Sequence, residues 1–104
     1  MTPVVVLTTV GADFDAKPVA RILVESRLAA CVNILPAVQS VYRWEGAVSE
    51  DGEQLLVIKT VEERIDALKE ALFPMHPYDV PEFVVLPVVR IEGPYRAWLI
   101  EAVS

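Results

Sequence analysis

Val4-Val5-Val6-Leu7-Thr8-Thr9 opens the chain as a largely β-branched run without polar alternation, the pattern of a strand buried on both faces and central in its sheet. Gly11 to Asp15 supplies turn and capping residues. Asp15 reads as the N-cap of a helix that tolerates Pro18 in its first turn, aligns Val19, Ile22 and Leu23 on one stripe and runs to about Leu28. Ala30 to Leu35 reads as a second strand, continued by Val38 to Trp44 beyond a break at Pro36 that fits a bulge or an edge position. Glu53 to Thr60 reads as a third. Pairing Asn33 with Val57 puts the turn at Glu45-Gly46 and leaves Asp51-Gly52 as a bulge in the returning arm. The arms then reach about 14 residues each, against a usual length of roughly 5–6. Two helices cannot cover the distal half, which needs a partner.

Thr60-Val61-Glu62-Glu63 has capping-box spacing, and Ile65, Leu68 and Leu72 follow on one helical stripe until Pro74 stops the helix. A loop from Met75 to Glu82 leads into Phe83 to Val89, a fourth buried strand, and Gly93-Pro94-Tyr95 starts a short final helix carrying Trp98 and Leu99. The order β-α-β-β-α-β with a C-terminal helix predicts one α+β, ferredoxin-like domain over residues 1–104, its first two helices on one face of an antiparallel sheet. That frame hosts enzymes, metal carriers and regulators alike, so function has to be read from side chains.

Composition sharpens the picture. With 54% of its 104 residues apolar, so small a domain carries more apolar surface than it can bury alone, which points to association with other chains. Nine basic residues stand against 15 acidic ones, net −6, without a basic cluster, which argues against a nucleic-acid partner. No apolar run reaches the roughly 18 residues of a membrane span, and no signal peptide is recognisable. A lone cysteine forms no intrachain disulfide. The expectation is a cytoplasmic protein with no membrane partner.

Cys31 and His76 are the only cysteine and histidine, and a thiolate with an imidazole suits copper or zinc. Two ligands are too few for a closed zinc site, so a metal would have to recruit Met75, Asp79 or Glu82, water, or equivalents from other subunits. The competing reading makes Cys31 a small hydrophobe in a strand and His76 a hydrogen-bonding residue of its loop. By parity, Cys31, Asn33 and Leu35 share one side of their strand, while Val32 and Ile34 share the side that meets the helices. Tyr42 and Trp44 also share a parity and present one aromatic surface, for packing on a neighbouring subunit or for stacking a small ligand. Lys59, Glu53, Tyr78 and Glu82 lie near strand and loop ends where a cleft can form, although Lys59 and Glu53 stand about 20 Å apart along one strand. One of the bonds preceding Pro77, Pro81 and Pro87 is a candidate for the cis form. Catalytic signatures are missing: there is no glycine-rich phosphate loop and no nucleophile elbow, and Arg27 and Asn33 lack the loop that acylphosphatase chemistry requires. The expectation is a protein that is not an enzyme.

Four segments together resemble the CutA divalent-cation tolerance family: Arg27-Leu28-Ala29-Ala30-Cys31-Val32-Asn33-Ile34, Ser40-Val41-Tyr42-Arg43-Trp44-Glu45-Gly46, Glu53 through Ile58-Lys59-Thr60, and His76-Pro77-Tyr78-Asp79-Val80-Pro81-Glu82 with Tyr95 and Trp98 beyond. The resemblance implies a cytoplasmic homotrimer of ferredoxin-like subunits whose long hairpins extend sheets across subunit boundaries, with Tyr42, Trp44 and Trp98 at the trimer interface. It also implies a link to tolerance of copper and other divalent metals, with weak ion binding near His76 that folding does not require. Some relatives carry a second cysteine and a second histidine where this chain has Thr8 and Met75, which removes potential ligands. Met75 retains a thioether suited to Cu(I). The trimeric architecture is similar to that of PII-type signalling proteins, which leaves open a small metabolite in the subunit clefts, or a purely structural scaffold.

Overall fold

A computed structural model describes residues 1–104. Four strands, β1 (Pro3–Gly11), β2 (Cys31–Trp44), β3 (Ala47–Val61) and β4 (Val84–Pro87), form one antiparallel sheet in the order β2-β3-β1-β4. Helices α1 (Ala16–Glu25), α2 (Ile65–Leu72) and α3 (Gly93–Ala102) complete the expected ferredoxin-like α+β order. The main core lies between α1, α2 and one sheet face, where Val6, Val10, Leu23, Leu56, Ile58, Leu68 and Leu72 are sealed from solvent. Val32 and Ile34 pack on this core as their parity predicts. A smaller cluster joins Leu99 and Val103 of the C-terminal segment to Ala30 and Val61.

The hairpin turns at Glu45-Gly46 as expected, with φ of 49° and 82°, the left-handed pair that a two-residue turn between twisted strands demands. Its arms are 14 and 15 residues long and draw the molecule out to 44 × 27 × 23 Å. Pro36 and Ala37 form the bulge: Leu35 pairs with Leu55 and Val38 with Glu53, so two residues of β2 oppose one of β3. This extra residue exchanges the parities of β2. Before it, even-numbered side chains face the helices; beyond it, Tyr42 and Trp44 lie on the opposite face, with Glu53.

Several expectations are corrected. Helix α1 ends at Glu25, not Leu28, because Leu28 N–H returns to the Leu23 carbonyl and Arg27 N–H to the Val24 carbonyl, both at 3.0 Å, in a Schellman closure with Arg27 at φ 59°. Asp15 occupies the N-cap without a side-chain cap bond. Residues 60–63 make no capping box. The Thr60 hydroxyl instead donates to the Leu28 carbonyl at 2.7 Å, and the Glu63 carboxylate accepts the Thr2 N–H at 3.0 Å, which lowers its pKa. A short 3₁₀ turn, Glu62–Arg64, leads into α2. The ladder runs unbroken through Asp51-Gly52, so the returning arm has no bulge. No peptide bond is cis. Strand β1 is central, but its helix-facing side is buried while the other, Pro3 apart, is only partly covered. Strand β4 spans Val84–Pro87 rather than Phe83–Val89, and all four residues are exposed, because it is an edge strand with no layer over it in a single chain.

Candidate functional site: an acidic, aromatic cleft

Strand β4 pairs with β1 only over Val4 to Leu7, so the edge of β1 is open from Thr8 onward. The segment from His76 to Glu82 crosses that opening from one sheet face to the other. On the helix side, the His76 ring contacts buried Thr8, Nε2 to Oγ1 3.1 Å. On the far side, the Tyr78 hydroxyl donates to Glu53 Oε2 at 2.7 Å. Gln54 ties the turn after β1, its amide donating to the carbonyls of Gly11 at 2.9 Å and Phe14 at 2.6 Å.

The result is a cleft of about 660 Å³ between the distal hairpin and this loop, lined by Tyr42, Trp44, Asp51, Glu53, Tyr78, Asp79 and Glu82 among others. Four of its lining residues are carboxylates and none is basic. The Tyr42 hydroxyl donates to Asp51. That bond, first, and partial burial, second, raise the Tyr42 pKa, while burial and then the bond to Glu53 raise that of Tyr78. Both phenols are therefore fixed as neutral donors to carboxylates.

Glu53, Tyr78 and Glu82 thus share one cleft with Tyr42 and Trp44. Lys59 does not join them. It lies toward the other end of β3, its Nζ 5.9 Å from the centre of the Tyr95 ring, and Tyr95 in turn stacks with Trp98 at 5.3 Å. Cys31 pairs with Lys59 across the ladder, half-buried, its thiol 3.7 Å from Asn33 Oδ1. It therefore faces away from the helices, opposite the side on which His76 meets Thr8. Met75 packs against the main core. No group of three or more His, Cys, Asp or Glu side chains is placed to hold a metal ion. Asp79 stands out in the sequence as a candidate metal ligand, whereas Asp51 was not singled out as a site residue, although Asp51 and Glu53, two apart on a strand, necessarily share a face.

His76 spends both ring nitrogens within the chain. Nδ1 accepts the Tyr78 N–H at 3.1 Å, so the neutral ring carries its proton on Nε2, directed at Thr8. Burial lowers the His76 pKa, opposed in part by its contact with the Thr9 backbone. With the folded value below the unfolded one, the stabilisation is complete above a pH of about 6.5 and is lost as pH falls from there toward the folded pKa. Thermal melts at pH 7.5 and 5 should therefore show an acid-side loss that His76→Gln reduces. An equal loss in both proteins would show that His76 is not the group responsible.

No helix is long and apolar enough to cross a membrane. The family model of the CutA1 divalent ion tolerance protein matches residues 4–102. A divalent-cation tolerance protein CutA of Thermus thermophilus is 50% identical over 97 residues, 93% of this chain and 94% of that protein, and the solved Thermus structure superposes with a TM-score of 0.92 at 47% identity over 98% of this chain and 99% of that one. The CutA1 structure from Oryza sativa gives a TM-score of 0.93 at 42% identity, covering 100% of this chain and 95% of that one. The rice protein named CutA 1, chloroplastic, is 46% identical over 96 residues, 92% of this chain, which spans about half (54%) of that protein's length. A structure of the periplasmic divalent cation tolerance protein CutA from Archaeoglobus fulgidus reaches 0.91 at 29% identity, over 98% of this chain and 99% of that one. Sequence likeness across almost the whole chain and coincidence of the fold lead to one conclusion: the chain belongs to the CutA1 divalent ion tolerance family.

Proposed function

We propose that the protein acts in divalent metal-ion tolerance, copper included, as a non-enzymatic homotrimer that binds such ions weakly at the acidic cleft beside the His76 loop. The observation that carries this reading is the convergence of Asp51, Glu53, Asp79 and Glu82 on one cleft that has no basic lining residue. Such a cleft concentrates cations. Without three donors gathered on one point, it holds each ion loosely. Copper reaches His76 only if the ring gives up Tyr78 N–H or turns from Thr8, so the carboxylates at the mouth are the first donors and His76 and Met75 secondary ones. Cys31, beside Lys59 toward the other end of β3 from the cleft, is not part of this site and stays a packed thiol. The free thiol suits a reducing compartment, and we place the protein in the cytoplasm, while relatives from rice and Archaeoglobus bear names of other compartments.

Calorimetric titration with copper should give weak, saturable binding that Asp79→Asn combined with Glu82→Gln reduces severalfold. Unchanged binding in that variant would take the cleft out of consideration, and a parallel His76→Ala titration shows whether the imidazole participates. A second reading, a PII-like trimer that holds a small metabolite, is favoured by the cleft volume, which lies in the range of roughly 300–1,000 Å³ typical of small-molecule sites.

A further inference from the structure

We propose that the cleft is a binding site for an organic cation, an ammonium or amidinium group carried on a flat apolar body. The inference rests on the reading of the cleft as cation-attracting and names the ligand that its interior fits. Glu53 is its base. That side chain is only 8% exposed, yet its single hydrogen bond within the chain is the one that Oε2 accepts from Tyr78. Oε1 has no protein partner and is not sealed off, so it opens to the cleft. A carboxylate this deeply buried ordinarily meets a cation, and no Lys, Arg or His lines the cleft.

Three aromatic residues, Tyr42, Trp44 and Tyr78, line the same cleft as that carboxylate, Tyr78 in direct contact with it. The cation–π contacts made within the chain are those of Lys59 with Tyr95 and Lys69 with Phe73. No cation of the chain therefore lies over the three cleft rings. Their π faces attract a weakly hydrated organic cation better than a small divalent ion that keeps its water. Size points the same way: about 660 Å³ far exceeds a metal ion, and the absence of a three-donor cluster leaves an ion uncaged. One charge-assisted hydrogen bond to Oε1 with aromatic stacking around it satisfies both the carboxylate and the rings.

The test is calorimetric titration of the whole protein with benzylamine, with benzyl alcohol as its neutral counterpart, and separately with copper. Benzylammonium should bind saturably, and loss of its charge in benzyl alcohol should weaken binding by about tenfold or more. Glu53→Gln should weaken benzylamine by a similar factor with an unchanged circular dichroism spectrum. Should Glu53→Gln fail to fold, Trp44→Leu decides, with its mass by light scattering required to match that of the unaltered protein, since Trp44 is 52% exposed in the single chain and lies outside the core but on the hairpin face expected to meet neighbouring subunits. Equal binding of the alcohol, unaltered affinity in the variants, or no benzylamine binding at millimolar concentration would each overturn the inference. Copper binding without benzylamine binding would overturn it while leaving the metal reading in place; benzylamine binding without copper binding would do the reverse.

Discussion

Light scattering on a Val41→Asp, Val48→Asp double variant should return the mass of one chain where the unaltered protein returns that of three. Val41 and Val48 are 65% and 63% exposed and lie on one face of the distal hairpin, since Val48 pairs with Arg43, two residues from Val41 on the same strand. The other face carries Tyr42 and Trp44, also exposed. A hairpin with apolar side chains on both faces has no reason to protrude into water, and strand β4 adds exposed Val84, Val85 and Leu86 at an open sheet edge. Two aspartates buried at such an interface would have only Arg43, beside them on the same face, as a counter-charge, and the uncompensated carboxylate costs several kcal/mol, order of magnitude, enough to dissociate an assembly. The substitutions leave the cleft face untouched, so ligand binding by the dissociated variant would also reveal whether the cleft is complete within one chain. A folded, unaltered protein that runs as a monomer at micromolar concentration would end the trimer proposal.

Leu56→Ala should be among the most damaging single changes, at roughly 2–5 kcal/mol, and Leu55→Ala beside it shows why. Leu56 is fully buried, pairs with Thr8 on one side and Ile34 on the other, and belongs to the helix-facing core. Truncation there leaves a cavity between layers that cannot collapse. Leu55 points to the other face and is only half-buried in the single chain. Its truncation should cost far less at high dilution and more as concentration rises, if neighbouring subunits cover that face. Chemical denaturation of both variants at two protein concentrations checks the pair. Equal and concentration-independent losses would mean that the far face is not packed against other chains.

Much of the fold was legible because it is local. The unbroken β-branched run announced a central strand, the apolar stripe Ile65, Leu68, Leu72 announced α2, and Glu45-Gly46 stood at the only place where the hairpin could turn, given the Asn33–Val57 pairing. Where local signals misled, a distant group had taken the residue. Thr60 looked like a helix cap, but its hydroxyl goes to the Leu28 carbonyl, and Arg27 accepts a left-handed φ to end α1 where no glycine marks the stop. The fourth strand looked buried from its composition, while its exposure in a single chain follows from its place at the sheet edge.

For the site, the sequence by itself determined that Tyr42 and Trp44 share a face, that acidic residues outnumber basic ones, and that His76, Tyr78 and Glu82 travel on one loop. Periodicity and composition need no knowledge of distant contacts. Only the tertiary structure decided which face the aromatic pair takes, because the parity of β2 changes at the Pro36-Ala37 bulge, whose register depends on β3. Only it decided that the loop crosses the open edge of β1, sending His76 to Thr8 on one face and Tyr78 to Glu53 on the other, across 68 and 25 residues of chain. Contacts of that separation depend on how the sheet closes, and a side chain's chemistry there is set by whichever strand the fold brings to it.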